Sequence, residues 1–233
     1  MRRVLAQGHT GSSTRPHPSL GLAADEVLTT TRAVRRRLDL SRPVPRPIVE
    51  DCVRIAAQAP SGRNRQRWDL VAVDDREQRV AVAEIWRKGL AESVLGVTGL
   101  TGVTRVDSAA EDERLASSAA HLASHLHEVP VLGVFYARVE SRDELSSARG
   151  QASVWGSVVP AAWSFMLAAR ERGLGTAWTT CHLSFEEEMA EVLHLDYPHA
   201  VQAVLTPIAF THGVDFRPGP RADHRDFVHW NHG

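Results

Sequence analysis

The spacing of apolar positions predicts most of the helices in this chain. Residues 23–38 carry apolar side chains three and four positions apart and predict the first helix. Pro47 is typical of a first helical turn, so a second helix is predicted to begin there. Pro60 ends this second helix. Residues 77–127 are mostly helical in pattern, apart from the stretch 96–104, whose three glycines predict a mobile or inserted segment.

Short apolar runs between the helices predict four strands, at residues 70–73, 131–136, 177–180 and 201–210. The longest helical pattern, residues 154–172, is apolar on nearly every face and is followed by Gly173, so we predict that it is the central helix. A last helix is predicted at 185–193. This order lacks the opening strand, glycine loop and helix of a dinucleotide-binding fold and predicts an α+β or mixed α/β fold.

Length and charge limit the classes of protein to which the chain can belong. With 233 residues it is long enough for one large domain, and we predict a flexible arm at 1–22 and a single domain at 23–233. The formal charge of −1 gives none of the cationic excess that nucleic-acid binding needs, so no nucleic-acid partner is expected. The longest apolar run, residues 129–137, is about half of a bilayer span, so no membrane association is expected.

Cysteine and lysine usage narrows the chemistry further. Cys52 and Cys181 lie far apart and neither belongs to a CxxC pair, which argues against a disulfide framework and favours a reducing, cytoplasmic location. Lys88 is the only lysine and follows Arg87 rather than glycine, so there is no Walker A loop for nucleotide phosphates. A GxSxG nucleophile elbow is also absent.

The first candidate site is the segment 59–68, between a predicted helix end and a strand start. Small residues there allow backbone amides to face a ligand, and Arg63, Asn64 and Gln66 offer one cation and two amide side chains. This mixture of donors and acceptors suits a planar heterocycle rimmed with carbonyls and ring nitrogens. The alternative is an ordinary turn from a helix to a strand.

Arginine and glycine clusters give two more candidate sites. Arg32, Arg35 and Arg36 are three and four positions apart, so on a helix they would share a face and could converge on one phosphate. A run of arginines is also typical of a solvated helix face. The stretch 173–181 begins with Gly-Leu-Gly, which permits a sharp reversal and a close backbone approach, although a lone GxG is a weak indication of a site.

Taken in order, these segments resemble the flavin-dependent nitroreductase family. Residues 31–35 are similar to that family's RRSxR segment, and residues 59–68 to its APSxxNxQPW segment. Residues 168–175 are similar to the end of its long apolar helix, which closes in GLG, and Arg221 to its late basic residue. The resemblance covers residues 24–230, and the APSxxNxQ element is its most specific part.

The resemblance implies an α+β fold with a central, mostly antiparallel sheet flanked by helices, in a homodimer with entwined domains. It also implies FMN in each of two sites at the boundary between the subunits, with NADH or NADPH as the co-substrate. The residues that match the flavin-binding positions of the family are Arg32, Ala33, Arg35, Ser61, Gly62, Arg63, Asn64, Gln66, Thr180, Cys181 and Arg221.

Each matching segment carries an implied role. The segment 32–35 matches the positions that hold the flavin phosphate and pyrimidine edge, where a guanidinium would stabilise the negative charge of the reduced ring. The segment 61–66 matches the lining of the ring and ribityl chain, and Arg221 matches a phosphate contact. Thr180 and Cys181 match positions near the hydride-accepting nitrogen, and we name them with His182, which could donate a proton, as candidate catalytic residues. For His182 a role in the core is the alternative.

The chain departs from the family pattern at three positions. Thr31 stands where the family often has a first arginine, and Ala33 where it often has serine. These two changes remove a charge and a hydroxyl from the expected phosphate site, so Arg32 and Arg221 would have to compensate. Arg67 stands where the family often has proline and changes how the chain enters the next strand.

Three functions remain open from the sequence. The first is an FMN-dependent oxidoreductase that takes hydride from NAD(P)H and reduces a small nitroaromatic or quinone-like acceptor by a ping-pong mechanism, with the stretch 96–104 covering the pocket. The second is a flavin-holding protein with little turnover. The third is a metal-dependent enzyme that uses His121, His125 and His127, of which the first two have the i, i+4 spacing of a chelating pair; exposed or capped histidines are the alternative.

Overall fold

A computed structural model describes residues 19–96 and 109–232 of the chain. Its helices are α1 (Ala24–Thr30), α2 (Arg46–Ala56), α3 (Arg76–Gly96), α4 (Ala109–His125), α5 (Ala148–Glu171) and α6 (Glu186–Val192). Its strands are β1 (Trp68–Val73), β2 (Val131–Arg138), β3 (Leu174–Thr176) and β4 (Ala200–Phe210). The predicted order of helices and strands is confirmed. Most of the predicted arm and most of the stretch 96–104 lie outside the described residues.

The four strands form one antiparallel sheet in the order β1-β2-β4-β3. Helices cover both faces: Phe165 of α5 packs on Phe135 in one core cluster, and Trp86 of α3 belongs to the cluster on the other face, with Leu132. All eleven residues of β4 are buried, because this strand has a neighbour on each side and a helix layer on each face. A continuous apolar run rather than an alternating one is the expected sequence of such a strand.

Helix α5 is the central helix, as predicted, and runs from Ala148 to Glu171. The Oγ of Ser147 accepts a hydrogen bond from the Gly150 amide and caps its start, and Gly173 follows its end with a φ of 71°. By length and composition this 24-residue helix could cross a membrane, but 50% of its most apolar window is buried inside the fold. Its apolar character is that of a core helix.

The third strand lies three residues earlier than predicted. Leu174, Gly175 and Thr176 pair with β4, whereas the predicted strand at 177–180 contributes only an isolated bridge between Thr179 and Leu205. A Cβ on Gly175 would lie 2.7 Å from Thr211 Cγ2, so the glycine that suggested a turn allows close packing within a strand.

Residues 20–22, at the end of the predicted flexible arm, are tied to the end of α5. The amides of Gly21 and Leu22 donate hydrogen bonds to the carboxylate of Glu171, and the amide of Leu20 donates to its carbonyl. These bonds join residues 20–22 to the end of α5.

Candidate functional site

The predicted helix at 23–38 ends at Thr30, so Arg32, Arg35 and Arg36 do not share a helix face. The hydroxyls of the consecutive threonines Thr30 and Thr31 bond back to carbonyls four residues earlier, which closes the helix. The chain then becomes extended: Ala33 bridges Thr176 of β3 in parallel. Pairing with the sheet has overridden the helical pattern.

The arginines nevertheless line one cavity of about 250 Å³ beside β3. Arg35 Nη1 donates to Ser118 Oγ at 3.4 Å, and Arg36 Nη2 donates to Ser117 Oγ at 2.5 Å. Both arginine side chains are therefore hydrogen-bonded to α4. We call this region the arginine edge; its cavity is lined by Arg32, Ala33, Val34, Arg35, Arg36, Arg37, Ser118 and Phe216.

The structure brings Arg35 together with Cys181, which the sequence places far apart. Burial lowers the pKa of the Arg35 guanidinium, and the nearby Cys181 thiol opposes that shift. The Arg35 guanidinium is therefore partly withdrawn from water at a site that favours a negatively charged neighbour.

Cys181 is held in place by its neighbours on α3 and β4. Thr179 exchanges two backbone hydrogen bonds with Leu205, and its Oγ1 accepts from the indole of Trp86 at 2.7 Å. The Cys181 thiol lies 3.7 Å from that same Oγ1 and is partly exposed, while Thr180 is exposed. Two of the three candidate catalytic residues therefore lie at the surface of the arginine edge.

Gly89 of α3 is a site residue that the sequence reading missed. A Cβ at this position would lie 1.7 Å from the carbonyl oxygen of Cys181, so only glycine lets α3 lie directly against that backbone. The available signal was a glycine inside a 21-residue helix, where it costs stability unless packing requires it.

His182 is enclosed, unlike its two neighbours. Its side chain is 0% exposed, and neither ring nitrogen has a hydrogen-bond partner among the described residues. Burial lowers the pKa of His182 to about 4, so its ring is neutral at neutral pH. Within this chain it lies in the core, the alternative that the sequence left open.

The segment from Ser61 to Gln66 forms a compact loop just before β1, which we call the loop edge. Arg63, Asn64 and Gln66 have φ values of 56°, 54° and 49°, in the left-handed region that side chains with a Cβ rarely adopt. The Ser61 Oγ accepts from the Gln66 amide at 2.9 Å and braces the loop. Strained backbone held by local bonds is typical of ligand-binding segments.

The other members of the loop edge are exposed or structural. Gly62 is exposed, and the Asn64 side-chain oxygen accepts a hydrogen bond from Gln66 Nε2 at 3.0 Å. Arg67, the departure from the family pattern, forms an ion pair with Glu144 at 2.8 Å and leads the chain into β1. Its cation thus serves the fold rather than the loop.

Within one chain the two edges lie apart. The loop edge precedes β1, on one side of the sheet, and the arginine edge pairs with β3, on the other. Three interstrand spacings of ~4.8 Å separate these strands by roughly 14 Å. The structure therefore brings Arg32, Ala33 and Arg35 together with Thr180 and Cys181, but not with the residues of the loop edge.

No hydrogen bond or ion pair joins Arg221 to the arginine edge among the described residues. It is exposed, and its Nη1 donates to the carbonyl of Pro220 at 2.7 Å. The tail instead approaches through the Arg217 carbonyl, which accepts from Arg32 Nη1 at 3.2 Å.

The three histidines considered as metal ligands do not converge. The rings of His121 and His125 stack with centroids 4.4 Å apart, and Nδ1 of His125 lies 2.8 Å from the His121 carbonyl oxygen. His127 faces Arg87. No group of three or more potential metal ligands occurs in the part of the chain that the structure describes, so nothing here supports the metal-dependent alternative.

Known structures share this fold. A BluB-like flavoprotein from Clostridium difficile 630 matches with a TM-score of 0.65 and 17% identity, over 90% of this chain and 99% of that one. The FMN and NADPH-dependent nitroreductase NfnB from Sphigopyxis sp. strain HMH matches with a TM-score of 0.64 and 20% identity, over 91% and 100%.

An oxidized iodotyrosine deiodinase bound to FMN and 3-iodo-L-tyrosine matches with a TM-score of 0.63 and 20% identity, over 88% and 98%. At these identities the likeness is one of fold. No curated protein sequence matches the chain. The model of the Nitroreductase family matches residues 28–207, about three quarters of the chain, with the antiparallel α+β fold described above. The chain therefore belongs to the nitroreductase family.

Proposed function

We propose that the protein is an FMN-dependent oxidoreductase that takes hydride from NADH or NADPH and passes electrons to a small organic acceptor. Membership of the nitroreductase family supports an FMN-dependent oxidoreductase. The observation that carries the proposal is the arginine edge, where Arg32 and Arg35 line one cavity without an ion-pair partner among the described residues. A cavity of this kind attracts an anion.

The residues present fit the anionic parts of FMN. Arg32 and Arg35 offer guanidinium donors for a phosphate and for the electron-rich edge of a reduced ring, and burial withdraws Arg35 from competing water. Ala33, exposed beside them, leaves room for a close approach. Arg221 is proposed as a further phosphate contact. When bound, the flavin supplies a ring that accepts hydride and returns electrons.

The amide-rich part of the site would come from the loop edge of a second copy. Ser61, Gly62, Arg63, Asn64 and Gln66 supply amide and backbone groups suited to a heterocycle, but they lie across the sheet from the arginine edge of their own chain. A homodimer with two sites, each formed by the arginine edge of one chain and the loop edge of the other, solves this problem.

The outer surface of α5 supports such a dimer. Val159 and Trp163 are 36% and 39% exposed on this helix, although both are large and apolar. Next to them an apolar groove of about 470 Å³ runs between α1, α2 and α5. An exposed apolar patch of this kind is typical of a protein interface.

Around the proposed site, the chain's own residues have distinct tasks. Arg35 stabilises negative charge near Cys181, and the backbone of Thr180 and Cys181, braced by Trp86 and Gly89, fixes the position at which the reacting groups meet. A hydride donor and a nitroaromatic or quinone-like acceptor would use this position in turn, which gives ping-pong kinetics. His182 is left out of the proton path because it is enclosed.

A visible absorbance spectrum of the purified protein, before and after addition of NADPH under argon, tests the proposal. We expect flavin absorbance that is bleached by NADPH and restored by the acceptor. The Arg35→Gln variant should lose most of the flavin, whereas Arg46→Gln, on an exposed arginine of α2, should retain it. A colourless wild-type protein that does not take up added FMN would refute the proposal.

One observation favours a flavin-holding protein with little turnover as a second candidate. The Thr31 hydroxyl is bonded to the Val27 carbonyl at 2.7 Å and is not free for a phosphate, and Ala33 has no hydroxyl. If flavin absorbance persists with saturating NADPH and NADH, this second function is the correct one.

A further inference from the structure

Arg36 is a cation that none of the functions assigned so far uses. Its Nη2 donates to the Oγ of Ser117 and, at 3.4 Å, to the carbonyl of the same residue, so the guanidinium is held against α4. The next guanidinium along the chain, Arg37, is paired with Asp215 at 2.6 Å, whereas Arg36 has no carboxylate partner among the described residues. Its charge is therefore available to a ligand.

The electrostatic environment of Arg36 is positive. No carboxylate lines the cavity that it shares with Arg35. The positive charge of Arg36 also acts on α4. The pKa of His121 on that helix is lowered mainly by burial, next by His125 and next by Arg36. A cavity with several guanidinium groups and no carboxylate in its lining attracts anions.

The two serines of α4 complete a set of donors. Ser117 Oγ accepts from Arg36 and Ser118 Oγ accepts from Arg35, and a hydroxyl that accepts a hydrogen bond still has its own hydrogen to donate. Among the described residues neither hydroxyl donates to another group. The guanidinium of Arg36 and the two hydroxyls, on neighbouring elements, therefore offer donors to one oxyanion.

We propose that Arg36, with Ser117 and Ser118, forms a second oxyanion site beside the flavin position, which binds a phosphate or carboxylate group of the molecule that exchanges electrons with the flavin. The inference rests on the proposed function, in which Arg32, Arg35 and Arg221 already account for the flavin itself. Two molecules carry the required group: NADPH, through its 2′-phosphate, and an acceptor that bears an acidic substituent.

Steady-state kinetics of the flavin-loaded enzyme distinguish these two sources. The wild type, Arg36→Gln and the control Arg46→Gln are compared with NADPH against NADH, and with 4-nitrobenzoate against the neutral 4-nitrobenzamide. In Arg36→Gln we expect kcat/KM to fall about 10-fold for one charged member and to stay unchanged for its neutral counterpart, the size of one charge-assisted hydrogen bond. The affected pair identifies the source, and Arg36→Lys should restore part of the loss.

A binding measurement tests the site without turnover. Calorimetric titration of the purified protein with inorganic phosphate, at constant ionic strength, should give a dissociation constant that rises about 10-fold in Arg36→Gln and is unchanged in Arg46→Gln. An unchanged constant in Arg36→Gln, or an equal loss for charged and neutral substrates, would overturn the second site. A wild type without flavin would instead refute the proposed function, and the titration would still decide whether Arg36 binds the anion.

Discussion

The arginine edge and the loop edge are built in opposite ways. The arginine edge is held by long-range contacts: Arg37 pairs with Asp215, and Arg35 and Arg36 reach α4, about 80 positions away in the chain. The loop edge is closed by bonds among its own residues, from Ser61 to Gln66, with strained backbone between them. One edge supplies charge fixed by the fold, and the other supplies mainly amide and backbone donors and acceptors, beside Arg63, fixed locally. A ligand with both an anionic and a heterocyclic part requires both.

Complementation between two variant chains tests most directly whether one site combines the arginine edge of one chain with the loop edge of the other. Arg35→Ala removes a charge from the arginine edge, and Asn64→Ala removes an amide from the loop edge. Each variant alone should lose about 10- to 100-fold in NADPH-dependent reductase activity, because a charged or bidentate contact is lost. A heterodimer of the two variants, purified through two different tags, should recover about half of the wild-type activity, since one of its two sites then combines intact edges.

The control is a doubly tagged dimer in which both chains carry Arg35→Ala, which should stay as inactive as the single variant. No recovery in the mixed heterodimer would mean that each site uses residues of one chain only. In that case the separation of the two edges across the sheet would have no functional meaning.

The sequence predicted which segments matter better than it predicted how they meet. The motif at 59–68 and the arginines at 32–37 were recognisable because each is local, and the order of helices and strands followed from apolar periodicity. The helix at 23–38 was wrong because the pairing of Ala33 with Thr176 is a tertiary contact. The proximity of Arg35 to Cys181, and the need for glycine at position 89, depend on distant segments meeting at the turn that follows β3, which no local pattern encodes.

The stability of the fold should also fall in acid, because His182, the neighbour of Cys181 at the arginine edge, is buried. In the unfolded chain its pKa is near 6.5, and in the fold burial lowers it to about 4. Between these values the unfolded state binds the additional proton, so the free energy of unfolding falls as the pH falls from 6.5 to 4. The full difference amounts to about 3 kcal/mol.

Urea unfolding at several pH values between 7 and 4.5 measures this slope. We expect the wild type to lose stability more steeply than His182→Leu, which keeps similar volume without a titrating ring. The control His224→Gln changes a histidine that is 92% exposed in the tail and should follow the wild type. Parallel curves for the wild type and His182→Leu would mean that His182 takes up its proton in the folded state as easily as in the unfolded chain.

The smallest expected effect is the difference in FMN retention between variants of Arg32 and Arg221, which the family resemblance assigns to the same phosphate. Both arginines are exposed, but Arg32 lines the cavity and is bonded to the Arg217 carbonyl, whereas Arg221 bonds only to its own neighbour, Pro220, among the described contacts. We therefore expect Arg32→Ala to weaken FMN retention about 10-fold and Arg221→Ala only a few-fold, with the dimer intact in both, since a charge already held at the cavity contributes more than one held away from it. Fluorescence of the released flavin during dilution measures both constants. An effect of Arg221→Ala as large as that of Arg32→Ala would mean that the tail closes over the arginine edge when the phosphate is bound. The Arg221 guanidinium would then join this edge only in the presence of the ligand.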